Sequence, residues 1–391
     1  MMPKLLIVTS HPIQYQVPWF RALHKDCRIQ LEVLFLTLPD AHEQGIGFDT
    51  SFEWDIPLLD GYHWRLADSA AGGIGEGYFG LRVKQARAEV MSSKPDAILV
   101  TGWQHFGLLQ CLRAAVRSGK PVLVRAESNG LKPVGWLQKV KARLGLAGVG
   151  LFLPIGEANE LFYRKIGMKG RIGQRVPYFV DNQYFNDGIH AQMGKRQYLR
   201  QQFGIPEEAV CFVFCGKLLE KKRPMQALEA LRELVSGLPK NAVHLLVVGS
   251  GALEATLQRY ASHHALPVSF TGFLNQSEMP AAYAATDCLL LPSDYGETWG
   301  LVVNEAMACG LPAIVSDRAG CGPDLVHEGA TGFSFHFGNV QELARAMQRF
   351  LSLSLGERKL MGENAQRMVL ENYSIEVAAN NTIEAVCAMV A

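Results

Sequence analysis

Glu297 and Glu305, with seven residues between them, lie in the stretch from Pro292 to Pro312 and are suited to clasping a hydroxyl-rich ligand. Carboxylates accept charge-assisted hydrogen bonds from hydroxyls, and sugars supply hydroxyls in neighbouring pairs. Cys288 to Leu291 is a short apolar run that reads as a buried strand, Ser293 to Gly300 holds turn formers, and Leu301 to Cys309 has helical composition stopped by Gly310. The first turn of that helix leaves amides without intrahelical partners. With the helix dipole, the Gly300 and Leu301 amides make a place for phosphate oxygens. Glu305, about one turn into the helix, then faces ribose hydroxyls, and Glu297, in the loop, faces a transferred sugar. Taken singly, each Glu reads more simply as a residue complementing the helix dipole or lying solvated on the helix.

Cations upstream add weight to the anion site. Phe212 to Cys215 reads as a strand, Gly216 and Lys217 follow it, and Lys221, Lys222 and Arg223 precede a helical run from Met225 to Leu234. Open α/β sheets bind ligands beyond the carboxyl ends of their strands, so Lys217 and Lys222 are expected to converge on the same diphosphate as the amides. Alone, the Lys221 to Arg223 run also reads as a solvated turn.

These residues resemble the retaining glycosyltransferases of family 4, which have the GT-B architecture. The hallmark is the Glu pair, here Glu297 and Glu305, framed by Gly296 and by Ala306 to Pro312. Gly216, Lys217 and Lys222 resemble the family's basic phosphate element, with Lys217 where Arg is usual; the swap keeps charge and loses the planar fork. Val247 to Gly251, including Gly249, looks like the family's strand and glycine turn, and Phe270 to Phe273, including Gly272 and Phe273, like the segment whose backbone edges the nucleotide base. The resemblance runs from about Pro177 onward. It implies a catalytic set of Glu297, Lys217, Lys222 and His105, with Glu305, Gly296, Thr298, Trp299, Gly300, Leu301, Gly249, Gly272 and Phe273 binding the donor. The co-substrate implied is a UDP- or GDP-sugar. No D-x-D motif occurs, so no metal and no further cofactor are expected.

The first half departs from the family pattern. The strand Lys4 to Ser10 is followed by His11 to Pro18 where many relatives carry a glycine pair. Close backbone approach is then replaced by side chains, and His11, Gln14 and Tyr15 are expected on the acceptor side. His11 also reads as a turn cap. His105 follows the strand Ala97 to Thr101, where many family members place a sugar-contacting His. Arg125 and Glu127, after Val122 to Val124, are further acceptor-side candidates.

Elements alternate as strand and helix throughout, the pattern of parallel sheets covered by helices. Runs at Lys4–Ser10, Gln30–Leu36, Ala97–Thr101, Val122–Ala126 and Leu151–Ile155 form one series; a second starts near Val210 and continues at His244–Val248, Val268–Thr271, Cys288–Leu291 and Ala313–Ser316. The expected fold is α/β: two Rossmann-like, doubly wound domains facing a cleft. Residues 1–187 bind acceptor, 188–372 bind nucleotide sugar, and 373–391 form a helix returning to the first domain. Gly45 to Gly77 reads as an irregular loop over the cleft.

At 391 residues two cores are expected, and Lys+Arg 38 against Asp+Glu 37 provides no broad field for nucleic acid. Eight cysteines without a C-x-x-C pair fit free thiols and a cytoplasmic protein. The acceptor, whether saccharide, lipid-linked saccharide or small molecule, is not specified. Lys132 to Arg143 reads either as a plain amphipathic helix or as a contact with an anionic membrane. Rival functions are a nucleotide-sugar epimerase of the same architecture and a catalytically silent binding subunit. A dinucleotide oxidoreductase is disfavoured because Gly249-Ser-Gly251 lacks the third glycine of the fingerprint.

Overall fold

The computed structural model describes residues 2–75 and 77–391. The chain forms two compact units. The first holds the residues up to Gln44, Phe52–Phe179 and Ser374–Ala391; the second holds Gly45–Ser51 and Val180–Tyr373. The boundary after Phe179 precedes the expected 187, because the helix Asn182–Ala191 belongs to the second unit. That helix is capped by Asp181, whose carboxylate accepts from the Tyr184 amide at 3.0 Å.

In the first unit the strands are β1 (Lys4–Thr9), β2 (Gln30–Phe35), β3 (Trp64–Leu66), β4 (Ala70–Ala71), β5 (Arg82–Val83), β6 (Ala97–Val100), β7 (Val122–Val124) and β8 (Leu151–Phe152). Six of them make a sheet in the order β3-β2-β1-β6-β7-β8, parallel throughout, and β4 pairs antiparallel with β5. Leu5 to Val8 and Ala97 to Val100 are fully buried, as expected of strands covered on both faces. Of the stretch 45–77 expected as an irregular loop, residue 76 lies outside the described residues, and within 45–75 β3 pairs with β2, with Trp64 opposite Val33. The closing helix Ile375–Val390 presents Ile375, Ala379 and Ile383 to the cluster that includes Leu5, Ile7 and Trp19.

The second unit repeats the plan with β9 (Val210–Cys215), β10 (Val243–Val248), β11 (Val268–Gly272), β12 (Cys288–Leu291), β13 (Ala313–Ser316) and β14 (Gly332–Phe335). Their order is β11-β10-β9-β12-β13-β14. Strand order reverses beside β9, whose two neighbours are β10 and β12, and such a switch point is where an open sheet offers a crevice to ligands. All the expected strands are present, and β14, which starts at a glycine, is an additional one.

Candidate active site

The site of the second unit is assembled at the carboxyl ends of β9, β10, β11 and β12. After β9, Gly216 and Lys217 leave the sheet, and a single 3-10 turn, Glu220–Lys222, carries Lys222 back toward it. Arg223 closes that turn with φ +53°, and Pro224 starts the next helix, Pro224–Val235, at its first position, where a missing amide costs nothing. After β10, Gly249 adopts φ +127°, and a side chain there would meet the Gly216 carbonyl at 2.1 Å, so only glycine lets the two turns close. The Gly249 amide donates to the Gly272 carbonyl at 2.8 Å, which brings the end of β11 into the same cluster.

After β12 the loop is fastened from both sides. The Asp294 amide donates to the Lys221 carbonyl at 2.9 Å, the Gly320 amide to the Glu297 carbonyl at 3.1 Å, and the Cys321 amide to the Trp299 carbonyl at 3.0 Å. Gly300, at φ +116°, turns the chain into the helix Leu301–Ala308, and its amide stands at the start of that helix with the Leu301 amide.

Within this frame Lys222 and Glu297 meet directly: the Lys222 Nζ donates to Glu297 Oε2, and the Ser293 hydroxyl donates to the same oxygen at 3.0 Å. The side chains are only 17% and 11% exposed, so the pair is largely withdrawn from water. Burial opposes the Glu297 charge, yet the Lys222 ammonium and the Ser293 bond hold its carboxyl below the usual range. Lys217 lies deeper than its charge prefers: burial first, then Lys221 and Lys222, hold its pKa below the ordinary lysine value. Its Nζ donates to the Ile46 carbonyl and sits 4.8 Å from the Phe48 ring centre. Phe48 also packs edge-on against Phe273, 5.0 Å between centroids, and its carbonyl accepts from the Ser250 hydroxyl at 2.6 Å.

Glu305 is buried and accepts from the Tyr283 hydroxyl at 2.7 Å. The Trp299 indole is buried and donates to Asn304 Oδ1 at 2.8 Å. It braces the loop against the helix Leu301–Ala308. Gly296 and Thr298 flank Glu297 on the less buried part of the loop. Ser293, Tyr283 and the Ile46–Phe48 segment carry no local pattern that marks them; Ile46 meets Lys217 from 171 positions away. Among the described residues no group of His, Cys, Asp and Glu could hold a metal ion.

The first unit gathers a second polar cluster. His11 follows β1 and His105 follows β6, the strand beside it, so these two residues lie together. The Ser10 hydroxyl and His11 Nδ1 are 2.9 Å apart. Burial first, then His105, pushes the His11 pKa down to about 4, and burial lowers that of His105, so both rings are neutral at pH 7. Gln14 is buried and Tyr15 half-buried beside them. Arg125 departs from the acceptor-side expectation: it is 2% exposed and donates to the Val176 and Pro177 carbonyls at 3.3 and 3.2 Å. The Trp19, Tyr178 and Phe179 rings enclose its guanidinium at 4.8 to 5.2 Å. That buried cation ties the end of β7 to Val176 and Pro177, well beyond β8, and has no face for a ligand. Glu127 accepts from the Tyr178 hydroxyl, so it too is engaged within the unit.

Residues 195–368 match the family model for glycosyl transferases group 1. Sulfoquinovosyl transferase SQD2 of Arabidopsis thaliana is 32% identical over 202 residues, 51% of this chain and 36% of that protein. A GDP-mannose-dependent alpha-(1-6)-phosphatidylinositol dimannoside mannosyltransferase of Mycobacterium tuberculosis is 36% identical over 163 residues, 41% of this chain and 39% of that protein. The crystal structure of Anabaena Alr3699/HepE in complex with UDP superposes with a TM-score of 0.73 at 17% identity, covering 98% of this chain and 100% of that one. The chain spans about a third to a half of the length of the curated relatives it matches, 36% and 39% for these two. Residues 195–368 therefore form a group 1 glycosyl transferase domain, and the paired sheets have the fold of the GT-B glycosyltransferases.

Proposed function

We propose that the protein transfers a sugar from a nucleotide diphosphate donor to an acceptor hydroxyl, with retention at the anomeric carbon, as a family 4 enzyme. The observation that carries this reading is the Lys222–Glu297 pair beside the first turn of the helix Leu301–Ala308, inside the matched domain. The pyrophosphate takes the Gly300 and Leu301 amides, Lys217 and Lys222. Glu305 takes the ribose, and Glu297 the transferred sugar.

In the transfer step the acceptor oxygen bonds to the anomeric carbon as the bond from that carbon to the β-phosphate oxygen breaks. The departing phosphate oxygen takes the acceptor proton, and the nucleoside diphosphate leaves. Negative charge grows on that phosphate, so Lys222, Lys217 and the amides stabilise the transition state more than the ground state. Glu297 holds its charge beside Lys222 and positions the sugar. Phosphate neutralisation by lysines and amides requires no divalent ion, so the reaction is metal-independent. His105 and His11, both neutral, serve hydroxyls rather than anions, with Gln14 and Tyr15 on the acceptor side. Both UDP and GDP donors fit this chemistry: HepE binds UDP, and the mycobacterial relative is named for GDP-mannose.

The test is NMR of UDP-glucose and GDP-mannose incubated with the protein, with and without a panel of sugar acceptors, in the presence of chelator. Release of nucleotide diphosphate with an axial product linkage supports the reading. A new nucleotide sugar formed without acceptor points instead to an epimerase. Binding of nucleotide sugar with no turnover points to a silent subunit, and loss of turnover in chelator removes metal independence.

A further inference from the structure

The helix Trp136–Gly145 wears its apolar stripe on the outside. Ala142 and Gly145 are its buried residues, and Leu146 after it is buried too. On the opposite face Trp136 is 72% exposed, Leu144 62%, Leu137 55% and Val140 46%. At 3.6 residues per turn these four fall in an arc of about 100°, centred opposite the buried side. A helix of a globular unit ordinarily turns such a stripe inward. This one is held with the stripe outward: Ala142 and Leu146 pack in the first unit's core, and the Arg113 guanidinium donates to the Leu144 carbonyl at 2.9 Å.

Charge surrounds the stripe with one sign only. On the helical wheel Lys141 borders one edge and Arg143 and Lys139 the other, with Lys132 in the approach to the helix. All four cations are exposed, and among the described residues none of them is in an ion pair. No Asp or Glu occurs between Glu127 and Glu157. The basic surface continues past the helix through Arg113, which also lines a groove with Lys84, Arg87 and Arg117, and among the described residues no carboxylate lines that groove.

We propose that this helix is a docking face for an anionic phospholipid bilayer. Apolar side chains between two rows of long cations match a headgroup layer, where Trp136, Leu137, Val140 and Leu144 enter the acyl boundary. Lys139, Lys141 and Arg143 then extend their ammonium and guanidinium heads to lipid phosphates. With 10 residues the helix Trp136–Gly145 is too short to cross a bilayer, so its contact lies in the interface. The proposal concerns a surface of the first unit and does not rest on the donor-site reading.

The test is sedimentation of the full-length protein with phosphatidylcholine vesicles made with and without phosphatidylglycerol. Phosphatidylglycerol raises the bound fraction, and added salt lowers it. Trp136→Ser combined with Leu144→Ser weakens binding by about tenfold or more. Replacing Lys139, Lys141 and Arg143 with Ala weakens binding to the anionic vesicles by a similar factor, about tenfold, and leaves the slight binding to neutral ones unchanged. UDP binding, measured in the same samples by calorimetry, is equal in wild type and variants. The proposal is overturned if phosphatidylglycerol has no effect, or if Trp136→Ser with Leu144→Ser binds as wild type does. It is also overturned if the wild type ignores vesicles but is a dimer that this variant dissociates, which would give the face to a second copy. Failure to bind both UDP and GDP, by contrast, sinks the donor-site reading and leaves this one standing.

Discussion

Lys222 and Glu297 neutralise each other, so neither residue acts alone. An ammonium has three donors, and one bond to Glu297 leaves Lys222 able to hold a phosphate oxygen as well. Replacing Lys222 with Ala removes a charged contact of about 1.5–3 kcal/mol and is expected to weaken UDP binding by about 10- to 100-fold. Glu297→Gln frees the ammonium from its partner, so UDP binds as tightly as before or tighter while sugar transfer slows by orders of magnitude. Calorimetry with UDP beside turnover assays checks both; weaker UDP binding in Glu297→Gln would place that carboxylate on the nucleotide instead of the sugar. His11 and His244 carry a pH signature, since each has a folded pKa of about 4 against 6.5 unfolded. Because the unfolded chain binds the extra protons, their stabilisation is complete above pH 6.5 and is lost as pH falls toward about 4. His11→Gln is expected to flatten that part of the melting-temperature profile.

Among the elements, the loop from β12 into the helix Leu301–Ala308 depends on one backbone conformation. Gly300 stands at φ +116°, and an added Cβ would meet Leu291 Cδ2 at 2.7 Å. Gly300→Ala is expected to cost about 2 kcal/mol or more and to tilt the Gly300 and Leu301 amides. Gly356 offers the contrast: it lies in the helix Leu355–Asn372 with open space around its Cα, so Gly356→Ala should be neutral or stabilising by up to about 1 kcal/mol. Urea unfolding of the two variants separates a conformational need from general intolerance of change. Equal stabilities would mean that the Gly300 turn relaxes freely.

For the whole molecule, two units with separate buried clusters are expected to unfold in two steps. Calorimetry should resolve two transitions, and UDP or GDP, whichever binds, at 100 times its Kd should raise one of them by about 2.7 kcal/mol while leaving the other in place. The shifted transition is expected to be that of the second unit, and protection from hydrogen exchange confined to residues 180–373 would identify it. A single transition, or a UDP shift in both, would mean that the units do not fold independently.

Much of this protein was legible along the chain. Buried parallel strands announce themselves as short runs of Val, Ile and Leu, so β9, β10, β12 and β13 lie where their composition puts them. Local order likewise makes the loop and helix around Glu297 readable, because turn formers and a terminating Gly310 act on neighbouring residues. Tertiary structure decided what depends on distant partners. The pairing of Lys222 with Glu297 spans 75 positions, and the Ile46 carbonyl reaches Lys217 from the far side of the chain. Arg125 has the type of a ligand-binding residue, but three aromatic rings and two carbonyls enclose it, which no local pattern encodes. The helix Trp136–Gly145 shows the same limit from the other side. Periodicity reveals that an apolar stripe exists, and only the packing of Ala142 and Leu146 determines that the stripe faces outward.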